Sequence, residues 1–253
     1  MDTSSTQKRI AVISGGTGYV GFEVAKKLAE DGISIAVLYH KKTKEEVDGI
    51  VKTLKGDGHH AYACNLEDAD NVKQTLELIE KEMGNIYACI HTAGKKPKRK
   101  QLSLSTLDDL KEQLDGNVVT GFNFLSACVV KLKEHKEGVM IGITTIGVIL
   151  PEATKSLGAY IPAKYAIQGM LTMFKEELAP YFVRVYSVAP GFMEEGMNSD
   201  IPKAFVEMIK EKSPTKQITS VEDVSSVISK LCSDDTIKDF NIPVAKEYGL
   251  MWN

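Results

Sequence analysis

The sequence predicts an α/β fold: a single doubly wound, three-layer Rossmann domain over residues 1–253, built on a mostly parallel sheet of about seven strands. Three observations lead there. Short apolar runs alternate with longer segments of helical period, a glycine-rich turn joins the first run to the first helix, and 253 residues with 43% hydrophobic side chains suffice to bury a large core. Taken in order, the runs 9–14, 33–39, 60–64, 86–91, 139–144 and 183–188 read as strands, and their unbroken apolar character suits a parallel sheet covered on both faces. Segments 22–30, 44–54, 69–83, 106–133, 160–178 and 202–212 carry helical periodicity, with a further helix near 221–232. No repeat, linker or shift of composition marks the start of a second domain.

Charge and composition exclude several classes. Lys plus Arg is 31 against 34 Asp plus Glu, so a net charge of -3 gives no general attraction to nucleic acid. No apolar run reaches the roughly 20 residues that span a bilayer, and Met1-Asp2-Thr3-Ser4-Ser5 lacks the basic-then-apolar order of a signal peptide, so a cytoplasmic protein is expected, without a membrane partner. Cys64, Cys89, Cys128 and Cys232 stand far apart with no C-x-x-C pair and read as buried reduced thiols. His59-His60 lacks ligand spacing, and no metal site is expected.

The first strand, Ile10 to Ile13, runs into Ser14-Gly15-Gly16-Thr17-Gly18-Tyr19-Val20-Gly21 and then an apolar helix. In that context Gly15 suits a tight turn, Gly18 a close approach of backbone amides to a pyrophosphate, and Gly21 close packing of helix on strand. After the second strand, where an acidic residue would favour NAD, the chain reads Tyr39-His40-Lys41-Lys42. Cations there neutralise a 2′-phosphate, so NADP is the expected cofactor. The same lysines also suit a solvated turn.

Tyr160-Ile161-Pro162-Ala163-Lys164 would place Tyr160 and Lys164 one helical turn apart, with Pro162 tolerated in the first turn. A tyrosine serves as acid or base near neutral pH when its pKa falls from about 10, and a drop of ~3 units needs ~4 kcal/mol of preferential phenolate stabilisation. Alone, the spacing is a poor signal.

In company it is stronger, because over 8 to about 231 the chain resembles the short-chain dehydrogenase/reductase family, most of all its 3-oxoacyl-acyl-carrier-protein reductase branch. The landmarks stand in order: the glycine turn, His91-Thr92-Ala93-Gly94 in place of N-A-G, Asn117 in Asp115-Gly116-Asn117-Val118, Ile143-Thr144-Thr145 in place of I-S-S, Tyr160 with Lys164, and Arg184 to Gly191 in place of R-V-N-x-x-x-P-G. The resemblance implies an NADP-dependent oxidoreductase moving a hydride between nicotinamide and a carbonyl or alcohol, with a 3-oxoacyl thioester as one candidate substrate. Tyr160 would exchange the proton, Lys164 would lower its pKa and hold the nicotinamide ribose, Asn117 would order a water, and Thr145 would orient the carbonyl. Cofactor contacts would come from Gly15, Thr17, Gly18, Tyr19, Val20, Gly21, His40, Lys41, Lys42, Asn65, Leu66, Ala93, Gly94, Tyr160, Lys164, Pro190, Gly191 and Met193. Departures are Thr145 for serine, Asn65 for an adenine-binding aspartate, His91 and Thr92 for asparagines, and Glu195 for a threonine that meets the nicotinamide amide. A nucleotide-sensing regulatory protein of this fold, without turnover, is the alternative.

The resemblance also implies a homo-tetramer, with a dimer as the fallback. The helices beginning near 106 and 160 carry Leu107, Leu110, Leu114, Ile167, Met170, Leu171 and Phe174, more than one face needs. Segment 192–214, with Phe192, Met193, Met197, Ile201, Phe205, Met208 and Ile209, reads as a substrate lid or as an amphipathic helix on its own domain. In Lys95-Lys96-Pro97-Lys98-Arg99-Lys100, five of six residues are basic. Placed after a strand, this loop emerges at the ligand-binding edge, where it would guide an anionic or carrier-linked substrate or simply be solvated.

Overall fold

The computed structural model describes residues 9–150 and 156–251; the start of the chain, including residue 8 where the resemblance begins, lies outside them. The chain runs β1 (Ile10–Ser14), α1 (Tyr19–Glu30), β2 (Ser34–Tyr39), α2 (Lys44–Val51), β3 (His60–Ala63), α3 (Ala69–Met83), β4 (Ile86–His91), α4 (Leu107–Gln113), α5 (Thr120–His135), β5 (Gly138–Ile143), α6 (Tyr160–Leu178), β6 (Val183–Pro190), α7 (Lys203–Lys212), α8 (Val221–Ser233), β7 (Asn241–Ala245) and β8 (Leu250–Met251). The strands form one eight-stranded sheet in the order β3-β2-β1-β4-β5-β6-β7-β8. All neighbours pair in parallel except β7 with β8.

The doubly wound reading therefore stands, with one strand more than the approximate number expected. β7 carries Pro243 and β8 is two residues long, so neither shows the unbroken apolar run that marks the inner strands. Strand residues alternate between two cores. Ala11, Ile13, Ile35 and Val37 face α1, α2 and α8, whereas Ile10, Val12, Ala36 and Leu38 face α3, α5 and α6. Helix starts are fixed by local chemistry: Thr43 with Glu46, Thr106 with Asp109 and Ser220 with Asp223 form capping boxes, and Asp68 accepts two first-turn N–H groups of α3.

The segment expected as one helix over 106–133 is interrupted. Between α4 and α5, Leu114–Val119 forms a turn of π-helix that turns Asn117 inward, where it is fully buried. The wide turn accommodates an extra residue that helical periodicity alone does not register. Among the described residues, no helix is long and apolar enough to cross a membrane.

Candidate active site

Strand order reverses between β2-β1 on one side and β4-β5 on the other, and at that switch the carboxyl ends of the strands open into a cleft of about 1430 Å³. The turn after β1 makes one wall. Gly15 has φ +69°, and a Cβ there would stand 2.8 Å from the backbone of Ala93; one at Gly21 would stand 2.6 Å from the Thr92 hydroxyl. Gly18 caps α1 without a side-chain acceptor, and no acidic residue lies in the first turn. The first N–H groups of a twelve-residue helix are thus left for an anion, with the positive end of the helix dipole behind them. This is the chemistry a pyrophosphate needs, and a dinucleotide fits the wall.

The replacements in the β4 motif tie β4 to β1. His91 Nδ1 and Ser14 Oγ lie 2.8 Å apart, and the Thr92 hydroxyl donates to Ser14 O at 2.7 Å. His91 is fully buried against Phe124, and among the described residues its Nε2 has no hydrogen-bond partner. Burial, with the nearby Lys164 charge, lowers its pKa to about 3, so the ring is neutral.

The opposite wall comes from α6 and the end of β5. The Tyr160 N–H donates to Leu157 O at 2.9 Å, starting α6 beside the cleft. Tyr160 and Lys164 are 8% and 4% exposed. Lys164 Nζ donates to Ile143 O at 3.0 Å and lies 5.6 Å from the centre of the Tyr160 ring. Burial pushes the Tyr160 phenol well above its ordinary range, and the charge that opposes this is the Arg99 guanidinium rather than Lys164. Lys164 itself is lowered by burial to about 8. Its ammonium donates to a carbonyl at the floor of the site, and the expected lowering of the phenol by Lys164 is not seen. Thr145 caps the short turn Ile146–Val148 and lines the cleft between β5 and α6.

Of the residues named from sequence, Gly15, Thr17, Gly18, Tyr19, Val20, Gly21, His40, Lys41, Asn65, Leu66, Ala93, Gly94, Thr145, Tyr160, Lys164, Pro190, Gly191 and Met193 all line this one cleft. Lys42 does not; it sits exposed one residue further along the turn. Asn117 lies behind the wall. Its Nδ2 donates to Gln113 O at 3.0 Å and Gln113 Oε1 at 3.1 Å, and its Oδ1 accepts the Lys95 N–H at 3.3 Å, so the amide pins the loop after β4. A Cβ at Gly94 would stand 2.8 Å from that Oδ1.

Sequence reasoning missed Glu247 and Tyr248, which reach the cleft from the turn between β7 and β8. Glu247 is buried, accepts the Thr219 hydroxyl at 2.9 Å and the Phe192 N–H, and packs against Gly191. Only the fold brings that turn to β6, and no motif marks it. In the segment after β6, Phe192, Met193, Met197, Phe205 and Ile209 line the cleft, Phe205 with part of its ring exposed, while Met208 is exposed outside it.

A doubly wound sheet, a glycine turn at its switch point and a buried Tyr-Lys pair on the facing helix define an oxidoreductase of the nicotinamide-dependent type. The chain belongs to the short-chain dehydrogenase/reductase family, since the family model described as enoyl-(acyl carrier protein) reductase matches residues 18–237. Dehydrogenase/reductase SDR family member 4 of Rattus norvegicus is 28% identical over 233 residues, covering 90% of this chain and 81% of that one. A 3-oxoacyl-acyl-carrier-protein reductase of Staphylococcus epidermidis is 24% identical, covering 88% and 91%. Among solved structures, an NAD+-bound xylitol dehydrogenase superposes with a TM-score of 0.84 at 21% identity, covering 96% of this chain and all of that one. An NADPH-dependent 3-quinuclidinone reductase from Rhodotorula rubra gives 0.82 at 22%, covering 97% and 93%. These two likenesses concern the fold.

Proposed function

We propose that the protein is an NADP-dependent reductase of small carbonyl compounds, with 3-oxoacyl thioesters among its candidate substrates, and that it acts in the cytoplasm as a tetramer or dimer. The observation that carries this reading is the position of Tyr160 and Lys164, one turn apart and buried, on the wall facing the glycine turn.

A bound nicotinamide nucleotide supplies the hydride. The turn Gly15 to Gly21 would hold its pyrophosphate, Lys164 its nicotinamide ribose, and the backbone from Pro190 to Met193 its amide. His40 and Lys41 line the far end of the cleft, and no carboxylate follows β2 until Glu45, which favours a 2′-phosphate over bare ribose hydroxyls. Tyr160 does the acid work. Burial holds its phenol protonated across the neutral range, so it carries a proton that it would give to the carbonyl oxygen as the hydride arrives and take back in the reverse reaction. The Thr145 hydroxyl orients that oxygen. Asn117 positions: it fixes the loop carrying Gly94 and Lys95 against the site. Phe192 to 214 supplies an apolar lid through Phe205 and Ile209.

The test is NADPH oxidation with a panel of ketones and 3-oxoacyl thioesters, run beside NADH binding. Turnover is expected with NADPH bound at least tenfold tighter than NADH, a difference of ~1.4 kcal/mol. Tyr160→Phe should abolish turnover while leaving cofactor affinity nearly unchanged. Equal affinities would overturn the cofactor assignment, and a Tyr160→Phe enzyme with near-normal turnover would remove the phenol from the chemistry.

A further inference from the structure

The basic run after β4 is largely neutralised where it stands. Lys95 pairs with Glu112 at 2.9 Å, Lys96 with Asp200 at 2.9 Å, Lys98 with Asp109 at 3.1 Å and Glu112 at 2.5 Å, and Lys100 with Asp109. Each of the four lysines is thereby clasped to α4 or to the segment after β6. Four lysines share three carboxylates, so these pairs reduce the charge the loop could offer a distant anion without cancelling it.

Arg99 differs. Among the described residues it makes no ion pair with a carboxylate; its Nη2 donates to the side-chain oxygen of Asn198, a neutral amide whose own Nδ2 donates to Met193 O at 2.6 Å. The guanidinium is therefore left without a direct carboxylate partner, with donors to spare, although the Asp200 carboxylate held by Lys96 lies close enough to feel its charge. Its placement is fixed from both sides. Lys100, the next residue, pairs with Leu157 as an isolated parallel bridge, and Leu157 O receives the Tyr160 N–H. The Asn198 contact holds the other side, next to Met193 and Met197. Arg99 thus stands exposed at the rim of the cleft on the Tyr160 side. The apolar side chains Leu157, Phe192, Met197, Phe205 and Ile209 line the same cleft.

We infer that Arg99 is a specificity residue that binds a carboxylate on the substrate, so that the preferred carbonyl compounds are short oxo acids with an aliphatic chain. The inference rests on the reductase reading for the reaction, not for the binding. A forked guanidinium presents parallel N–H donors that match a carboxylate in two contacts, and the Asn198 amide fixes its orientation before substrate arrives. The effect of Arg99 on the Tyr160 phenol agrees with this closeness. A carboxylate on Arg99 would cancel that effect, so selectivity comes from binding rather than from the phenol.

The experiment compares 3-oxohexanoate with its methyl ester, and the reduced pair, 3-hydroxyhexanoate and its methyl ester, in the full-length protein with NADPH or NADP present. Wild type should favour the acid over the ester in kcat/KM, and Arg99→Met should cut the acid-to-ester ratio by at least about tenfold, the worth of one charge-assisted contact. Arg99→Lys should retain part of the ratio, since it keeps the charge and loses the fork. Calorimetric binding of the two hydroxy compounds gives the same comparison without turnover. If wild type reduces neither oxo compound, the reaction assigned above fails while calorimetry still decides on Arg99. A wild type that binds acid and ester equally, or an Arg99→Met ratio equal to that of wild type, overturns the inference.

Discussion

Lys164 is an ammonium held where water scarcely reaches, and the fold bears that cost for the sake of the site. Burial lowers its pKa from 10.5 to about 8. Below pH 8 it is charged in both the folded and the unfolded chain, and the folded state carries the whole desolvation penalty. Between pH 8 and 10.5 the unfolded chain holds a proton that the folded chain has released, so stability rises with pH through that window. Lys164→Met should therefore raise stability near pH 7, by on the order of 1–3 kcal/mol, and the gain should shrink as pH passes 8 toward 10. Denaturant unfolding of both proteins across that range checks this; a difference independent of pH would mean that the ammonium is not desolvated. His91 adds a second trend of the same sign. Neutral in the fold and charged in the unfolded chain below about 6.5, it costs stability as pH falls toward 3.

At the scale of elements, two glycines of similar appearance have opposite meanings. Gly21 lies in the first turn of α1, and a side chain there would run into the Gly15 carbonyl and the Thr92 hydroxyl. Gly49 lies in α2, and a Cβ there would meet nothing within 4 Å. Gly49→Ala should stabilise the protein by about 0.5–1 kcal/mol, the ordinary helix preference of alanine. Gly21→Ala should destabilise it and, on the proposed cofactor reading, weaken NADPH binding, because either α1 or the turn proposed to hold the pyrophosphate must shift. Thermal melts with and without NADPH separate the two outcomes; a Gly21→Ala protein that keeps full cofactor affinity would show that the turn tolerates a side chain.

At the scale of the molecule, the apolar residues first chosen for self-assembly divide. Ile167, Leu171 and Phe174 are buried inside the chain's own core, whereas Leu107 is exposed. Helical phase makes the difference. Phe122 and Val130 on α5, and Tyr165 and Met173 on α6, form an exposed face that periodicity alone does not separate from the buried one, with Val130 63% and Met173 60% accessible. Gly169 sits midway between Tyr165 and Met173 with open space before it. Light scattering should return a multiple of 27.8 kDa, and Val130→Lys with Met173→Lys should shift the protein to the single chain. A wild type that stays at one chain's mass at micromolar concentration would contradict the assembly.

The sequence by itself determined the doubly wound class, the glycine turn and the Tyr160-Lys164 spacing, because each is a local signal: an apolar run, a turn that admits no side chain, a one-turn helical repeat. Tertiary structure decided the rest. The two short strands at the end of the sheet are held by pairing rather than by their own pattern, and the π turn at Asn117 is invisible to periodicity. Glu247 enters the site only because β7 lies beside β6. The five cations between 95 and 100 look alike in sequence, but three acidic residues, Asp109, Glu112 and Asp200, pair with the four lysines and, among the described residues, leave Arg99 without an ion pair at the cleft. Charge compensation acts through space, so it can be read only once the chain is folded.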